Sequence, residues 1–585
     1  MSKTQRPLEP KAAHKIFERG YNDLLVLLSF PILLLLINNS WIFTDSFGKW
    51  IDPWVYTGYF LDFSQHSQTF QGTYYGSRLG WILPGFLVYK ISPPLIANYL
   101  LHLIFFYAAL ISFYLILKWT INERAALFSS LFMGTYGHFL STMGWDYVDG
   151  AGITYLLLAM MMLTYAAKFR YQRSALVLAG VFFACMLHSN LFLVVLTPTF
   201  GAYYLYVSGM KGRGLWYRGL YSILGMIVAT SLLGGISYLV NHRFLFFLPS
   251  IKVALYSIGR SNPWWIEPHS WIFSHYDLML PALIFAGSIV TLFRSKGKKR
   301  GDGSVYGSFF QANFLFFSLG MVLLELMGSP VLQFSYYVSY LLPLMFLDFG
   351  SWFEGAFQDL SAGRYFLLIF VTLAILLLAF GTNAMFPESR FLLELSFFLL
   401  AGLCIELLIF EYGKKRRTIL ICLLIVVAFA FFNANLMRLW HEGVDFGGKE
   451  ATKDGFLAVV ESVNTLRKLD KETQEKIWFW YNSDKELGSV YRSIASTYLW
   501  GYRLVNEKFP EIMDGKTFVS REDLRSIRNI VILSRDKKVC ELAAEALNKI
   551  GLKTHFVFEK KIQEGGVGFT MTFINICGEG YCGDR

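Results

Sequence analysis

Apolar and polar positions divide the 585-residue chain into two regimes. Up to about residue 433, long apolar runs alternate with short polar segments. Beyond it, charged residues are frequent and the long runs cease. Apolar runs of about 18 or more residues read as membrane-spanning helices, since a helix must cross a hydrocarbon core about 30 Å thick. Thirteen candidates are present, at 22–40, 95–117, 125–142, 151–167, 174–188, 190–207, 219–240, 278–293, 308–327, 335–351, 365–381, 391–410 and 418–433. Only Leu187-His188-Ser189-Asn190 separates the fifth from the sixth, so that pair forms either a tight helical hairpin or one long kinked segment.

Two shorter patterns interrupt the alternation. Residues 78–91 are apolar but too short to span, and Pro93-Pro94 stops them. They predict an interfacial helix with Trp81 and Tyr89 at headgroup depth. Residues 241–277 form a long loop rich in aromatic residues and proline, suited to touch lipid and to order over a ligand. In the tail, helices are expected at 451–468, 485–506 and 537–550, and strands at 477–482, 528–534, 553–560 and 567–576. The fold class is therefore an α-helical polytopic membrane protein of about thirteen spans over 1–433, followed by a soluble α/β domain over 434–585.

Composition agrees. With 55% hydrophobic and 16% charged residues, the chain is too apolar for a soluble protein of this size. The first run follows five basic residues and lacks a small-residue cleavage site, so it is expected to remain as an anchor. With the N-terminus in the cytoplasm, the inside segments hold 23 Lys and Arg against 6 in the opposite loops. That asymmetry orients the chain and places the tail outside. It also accounts for most of the net charge of +11 through anionic lipid headgroups, without a nucleic-acid partner.

Cys185, Cys404 and Cys422 lie in apolar runs and read as small core residues. In an oxidising compartment, Cys577 and Cys582 flank a glycine-rich turn that suits a local disulfide, which leaves Cys540 single.

Candidate chemistry gathers in the segments predicted to lie outside. Asp52, just after the first run, suits a general base for an acceptor hydroxyl, or else opens a turn as Asp-Pro commonly does. Asp146 and Asp149 share a face if a helix starts there; one of them could instead cap it. Together with Asp52 they could hold a divalent cation through oxygen ligands. Arg78 could pair with Asp52, bind a phosphate, or snorkel at the interface. Arg243, Lys252 and Arg260 share the aromatic loop with Glu267 and His269, and any of the three cations could hold a lipid phosphate. His188 and Asn190 read as structural hydrogen-bonding residues at a hairpin tip.

Over roughly 20–350 these features resemble the GT-C superfamily of polytopic glycosyltransferases, which use polyprenyl- or dolichyl-phosphate-linked sugars. The resemblance rests on Asp52-Pro53-Trp54, the Arg78-led helix with Pro84, and the acids Asp146 and Asp149. The segment Gly180 to Asn190 and the Tyr-rich run 336–343 add to it. Asp52-Pro53-Trp54 is similar to the oligosaccharyltransferase catalytic subunit; the remainder is similar to bacterial transferases related to the aminoarabinose transferase of lipid A. The resemblance implies a multi-pass protein of a bacterial plasma membrane with an extracytoplasmic site and Asp52 as its catalytic acid. Some members bind a metal at this site, for which Asp52 and Asp149 would be the ligands.

The expected activity is sugar transfer from a polyprenyl-phosphate donor to a glycan, lipid or protein acceptor. Asp52 would be catalytic. Asp146, Asp149, Glu267 and His269 would bind substrate, and Arg78, Arg243 and Arg260 the donor phosphate. The alternative is a transporter or flippase for a lipid-linked glycan. Transporters place charges near mid-span, and here only Glu325 and Glu406 do so.

Overall fold

The computed structural model describes residues 23–33, 51–144, 147–169, 172–207, 213–258, 278–295, 303–327, 331–332, 335–353, 357, 361–385, 425–427, 429–430, 449–473, 476–481, 485–499, 527–536, 538–549, 553–564 and 567–577. Among them, five helices are long and apolar enough to cross a membrane: Pro94–Thr120, Val148–Lys168, Gln172–Ser189, Leu215–Asn241 and Tyr306–Leu326. Shorter apolar helices accompany them, including α1 (Asp23–Leu33). The predicted span at 391–410 lies outside the described residues, as does most of 418–433.

After α1 the described chain resumes with α2 (Asp52–Leu61) and α3 (Phe63–Thr69). A 3-10 turn (Tyr75–Ser77) then leads into α4 (Leu79–Ile91), the short apolar helix expected at 78–91, with Arg78 as its N-cap and Pro84 inside. The long α5 (Pro94–Thr120) follows. The run 125–142, read as one span, is two helices, α6 (Glu123–Thr135) and α7 (Gly137–Gly144), broken at the extended Tyr136. The break falls in Gly134-Thr135-Tyr136-Gly137-His138, where two glycines and polar side chains interrupt the apolar run.

Next come α8 (Val148–Lys168) and α9 (Gln172–Ser189). At the ambiguous boundary the chain breaks at Asn190, whose side chain accepts from the Phe192 amide. A 3-10 segment (Leu191–Leu196) and α10 (Thr197–Val207) follow. The helix α11 (Arg213–Asn241) packs closely on α9 through facing glycines. A Cβ at Gly180 would strike the Ser222 carbonyl, and one at Gly225 the Val177 carbonyl. Small residues at such crossings let helix backbones approach closely where lipid supplies no hydrophobic drive.

The remaining helices are α12 (Leu248–Ile258), α13 (Met279–Ser295), α14 (Gly303–Leu326), α15 (Leu342–Trp352) and α16 (Ala362–Met385). The helix α15 threads the interior: every residue from Leu342 to Ser351 is buried. It meets α6 through phenylalanine rings, with Phe132–Phe349 centroids 5.2 Å apart and Phe128–Phe353 4.9 Å apart. Its one carboxylate, Asp348, is satisfied by Ser288 and by the Trp352 indole at 3.1 Å. Buried charge in an apolar bundle is tolerated only with such partners.

The tail follows its sequence pattern to within a few residues. It contains α17 (Lys449–Thr473), β1 (Lys476–Tyr481), α18 (Lys485–Ile494), β2 (Ile527–Ser534), α19 (Lys538–Lys549), β3 (Lys553–Glu564) and β4 (Val567–Cys577). The helix expected to reach 506 passes into a π-helical turn at Ala495–Leu499, and the chain beyond is outside the described residues. The sheet order is β1-β2-β4-β3, with β1 parallel to β2 and the other pairs antiparallel. Every residue from Ile530 to Ser534 is buried, and the buried Phe573 and Met571 lie opposite Val531 and Leu533.

Candidate active site

Asp52 is the first residue of α2, with Ile51 as N-cap and Pro53 in the first turn. Its carboxylate makes no capping bond to the helix that Asp52-Pro53 opens. It instead accepts hydrogen bonds from three phenols. Tyr75 donates to Oδ1 at 2.6 Å; Tyr147 and Tyr74 donate to Oδ2 at 3.3 and 3.4 Å. Thus Oδ1 is held tightly, while the bonds to Oδ2 lie beyond the usual range for hydroxyl donors.

Arg78 closes the other side. It is 9% exposed, so it does not snorkel. Its Nη1 donates to the Tyr56 hydroxyl, and the guanidinium lies over the Tyr74, Tyr147 and Tyr56 rings, 4.8, 5.2 and 5.7 Å from their centroids. Among the described residues no direct ion pair joins it to Asp52; the phenols stand between them. Burial works against the Arg78 charge, but Tyr147, Tyr56, Tyr74 and Asp52 together hold its pKa above the ordinary arginine value. Burial, reinforced by Asp52, pushes the Tyr74 phenol up to about 12 and raises Tyr75 further. Both remain protonated donors at neutral pH.

Asp149 lies in the first turn of α8, where the helix dipole favours a negative charge. It is buried and, like Asp52, is not a capping group. Its Oδ1 accepts from Tyr340 and, at 3.5 Å, from the Asn190 amide, which also donates to the Tyr340 hydroxyl at 3.0 Å. Its Oδ2 is buried with no hydrogen-bond partner. The Arg78 charge acts on Asp149 as well as on Asp52. One guanidinium therefore serves two carboxylates.

Other predicted residues fall elsewhere. Arg243 is exposed and its guanidinium lies over Gly72, whose φ of +79° favours glycine. It borders the tyrosine-bearing loop but does not enter the cage. His188 bonds Thr230 at 2.9 Å and packs on Phe246, as a structural residue would. Asp146, Arg260, Glu267, His269, Glu406 and Cys582 lie outside the described residues. Cys577 ends β4.

Tyr56, Tyr74, Tyr75 and Tyr147 are what the sequence reading missed, whereas Tyr340 lies in the Tyr-rich run 336–343 it singled out. Tyr56, Tyr74, Tyr75, Tyr147 and Tyr340 supply most of the cage, and Asn190 joins the last of these to Asp149. A signal was present in the Tyr74-Tyr75 pair and in the tyrosine that follows Asp146. As to a metal, no described group of three or more His, Cys, Asp or Glu could hold an ion. Of the ligands expected for a divalent cation, Asp52 and Asp149 stand in the cage, the latter with its Oδ2 unpartnered, and Asp146 lies outside the described residues.

Taken together, the described bundle, with short helices after its first apolar helix, shares its fold with a solved membrane-protein structure over nearly the whole length of both chains. The chain is an integral membrane protein. ArnT from Cupriavidus metallidurans bound to undecaprenyl phosphate matches at 10% identity over 94% of this chain and 97% of that one, with a TM-score of 0.52. The same protein in the apo state matches at 11% identity over 95% and 98%, with a TM-score of 0.49. The archaeal oligosaccharyltransferase AglB from Archaeoglobus fulgidus, in complex with an inhibitory peptide and a dolichol-phosphate, matches at 12% identity over 92% and 73%, with a TM-score of 0.44. No family model and no curated protein sequence matches the chain.

Proposed function

We propose that the protein transfers a sugar from a polyprenyl-phosphate-linked donor to a hydroxyl-bearing acceptor on the extracytoplasmic face of the membrane. The observation that carries this reading is the Asp52 carboxylate held by three phenols beside the buried Arg78 guanidinium. Such a site offers a base and a phosphate-binding cation side by side. The similar ArnT structure is bound to undecaprenyl phosphate, which supports a donor of that class.

In the reaction the acceptor hydroxyl approaches Oδ2 and displaces the two longer phenol contacts, while Tyr75 keeps Oδ1 in place. As the acceptor oxygen bonds the anomeric carbon, the bond from that carbon to the donor phosphate oxygen breaks. The acceptor proton passes to Asp52, and the electron pair leaves with the polyprenyl phosphate. Arg78 stabilises the charge growing on that phosphate, in a site dry enough for the interaction to be strong. Direct displacement of this kind inverts the anomeric centre. Asp149, with one oxygen tied to Tyr340 and Asn190 and the other unpartnered, positions the acceptor. Asp146, Glu267 and His269 complete the substrate site. Arg243 at the rim and Arg260 guide the donor headgroup.

The test is mass spectrometry of lipids and surface glycans with and without the gene. The expected result is accumulation of one polyprenyl-phosphate sugar together with loss of that sugar from one glycan, lipid or protein. Unchanged donor and glycan pools under expression conditions would overturn the reading.

A further inference from the structure

The helix that carries Asp52 is only ten residues long, and two of its faces do different things. Asp52 and Tyr56, four residues apart, face the cage. Trp54 and Gly58, also four apart, face the C-terminal domain. The Trp54 ring stacks on Phe456 of α17 with centroids 6.2 Å apart, and both side chains are 3% exposed. At Gly58 the contact is closer still. A Cβ there would strike the His66 ring and the Thr497 carbonyl of the π-helical turn. His66 is itself buried, with its imidazole beside the backbones of Ser496 and Asp62. Beyond it, Arg467 of α17 lies over the Tyr498 ring and 4.0 Å from Asp62, the N-cap of α3.

A helix rotates as a rigid unit, so a contact on one face fixes the azimuth of the other. From this geometry we propose that the C-terminal domain is a positioning element of the active site: through Phe456, Thr497 and Ser496 it sets the rotation of α2, and with it the place of the Asp52 carboxylate. Phe456, His66 and Gly58 are then positioning residues that touch no substrate. This rests on the transfer reading for its catalytic consequence, but not for its structural one. Misplacing a reacting group by about 1 Å costs on the order of 10²-fold in rate. Loosening the clamp therefore lowers kcat while donor binding, which depends on Arg78, holds.

The experiment uses the full-length protein in nanodiscs. Phe456→Ala deletes the stack, Phe456→Leu keeps apolar volume without a ring, and Gly58→Ala wedges α2 from the domain. Lys560→Met, which breaks a pair with Glu461 inside the domain, is the control. Three quantities are measured: kcat and KM for transfer, affinity for polyprenyl phosphate alone, and backbone hydrogen exchange over 52–61 against 148–168. The expected result is a fall in kcat of about tenfold to a hundredfold for Phe456→Ala and Gly58→Ala. Donor affinity stays within about twofold, the control stays near wild type, Phe456→Trp recovers most of the rate, and exchange quickens over 52–61 only.

Wild-type kcat and exchange in Phe456→Leu and Gly58→Ala would overturn the proposal. So would a parallel loss of donor affinity and of protection in both segments, which is general unfolding. If Phe456→Ala does not fold, the leucine variant decides. If the wild type turns over no polyprenyl-phosphate sugar, the transfer reading fails, while the exchange experiment still confirms or refutes the clamp.

Discussion

Asp52→Asn separates the charge of this residue from its shape. The amide keeps an acceptor oxygen for Tyr75 at 2.6 Å, and its nitrogen faces the Tyr74 and Tyr147 oxygens at 3.4 and 3.3 Å, which can accept. The cage is therefore retained. Arg78 loses a neighbouring negative charge, but it keeps its bond to Tyr56 and its place over three rings, so the cation stays in place. What disappears is basicity. General-base catalysis is worth about 10²–10⁴-fold, or roughly 3–5 kcal/mol at about 1.36 kcal/mol per tenfold. Donor turnover is to be measured as release of polyprenyl phosphate from reconstituted membranes that contain the native acceptor, with thermal stability followed in parallel. The expected outcome is a rate down by at least about a hundredfold and a Tm within a few degrees of wild type. Asp62→Asn is the matched control: Asp62 caps α3 by accepting from Gln65 at 3.1 Å, and asparagine caps about as well as aspartate. Retention of more than about a tenth of the wild-type rate by Asp52→Asn would refute its role as base, and loss of turnover in Asp149→Asn alone would move that role to α8.

Four further outcomes are expected. Arg78→Lys keeps the charge but loses the planar group that bonds Tyr56 and spans three rings, so polyprenyl phosphate affinity should fall about tenfold or more; unchanged affinity would remove Arg78 from the phosphate site. His66, held down to a pKa of about 3 mainly by burial and then by Arg467, stays neutral when folded, whereas the unfolded imidazole takes a proton below about pH 6.5. Stability should therefore decline as pH falls from about 6.5 toward 3, and His66→Gln should show a flatter acid limb in thermal melts. In intact cells, cysteines introduced near 150, 265 and 500 should react with an impermeant reagent, while those near 212 and 298 should not; the reverse pattern would place the site in the cytoplasm. Non-reducing peptide mapping should link Cys577 to Cys582 and leave Cys540 free, and three free thiols would refute the bridge.

Sequence pattern reached different features to different depths. In the tail, period-two alternation and amphipathic helices lie between polar turns, so each described strand and helix begins within a few residues of its expected place. In the membrane bundle nearly every residue is apolar, and periodicity carries little information. The burial of α15 from Leu342 to Ser351 is set by tertiary packing, not by local composition. Asp52, Arg78 and Asp149 were identifiable because charge is costly near a bilayer and stands out there. Tyr56, Tyr74, Tyr75 and Tyr147 did not, because tyrosine at a membrane edge is commonplace as an interfacial anchor. The approach of Asp62 to Arg467 left no mark in the sequence for a similar reason: it depends on how α3 and α17 meet.

The triad of Asp149, Asn190 and Tyr340 also has a consequence for biogenesis. Asp149 and Tyr340 are 191 residues apart in the chain. At about 5–20 residues per second, a ribosome needs about 10–40 s to make that interval. Throughout it, an acid at the end of α8 waits in the membrane without its phenol. The clamp on α2 comes later still, since Phe456 and Thr497 are made after the bundle. The half of the protein that carries the candidate acids is thus inserted first and completed last, and a chain released before residue 340 would leave Asp149 without the phenol that holds it.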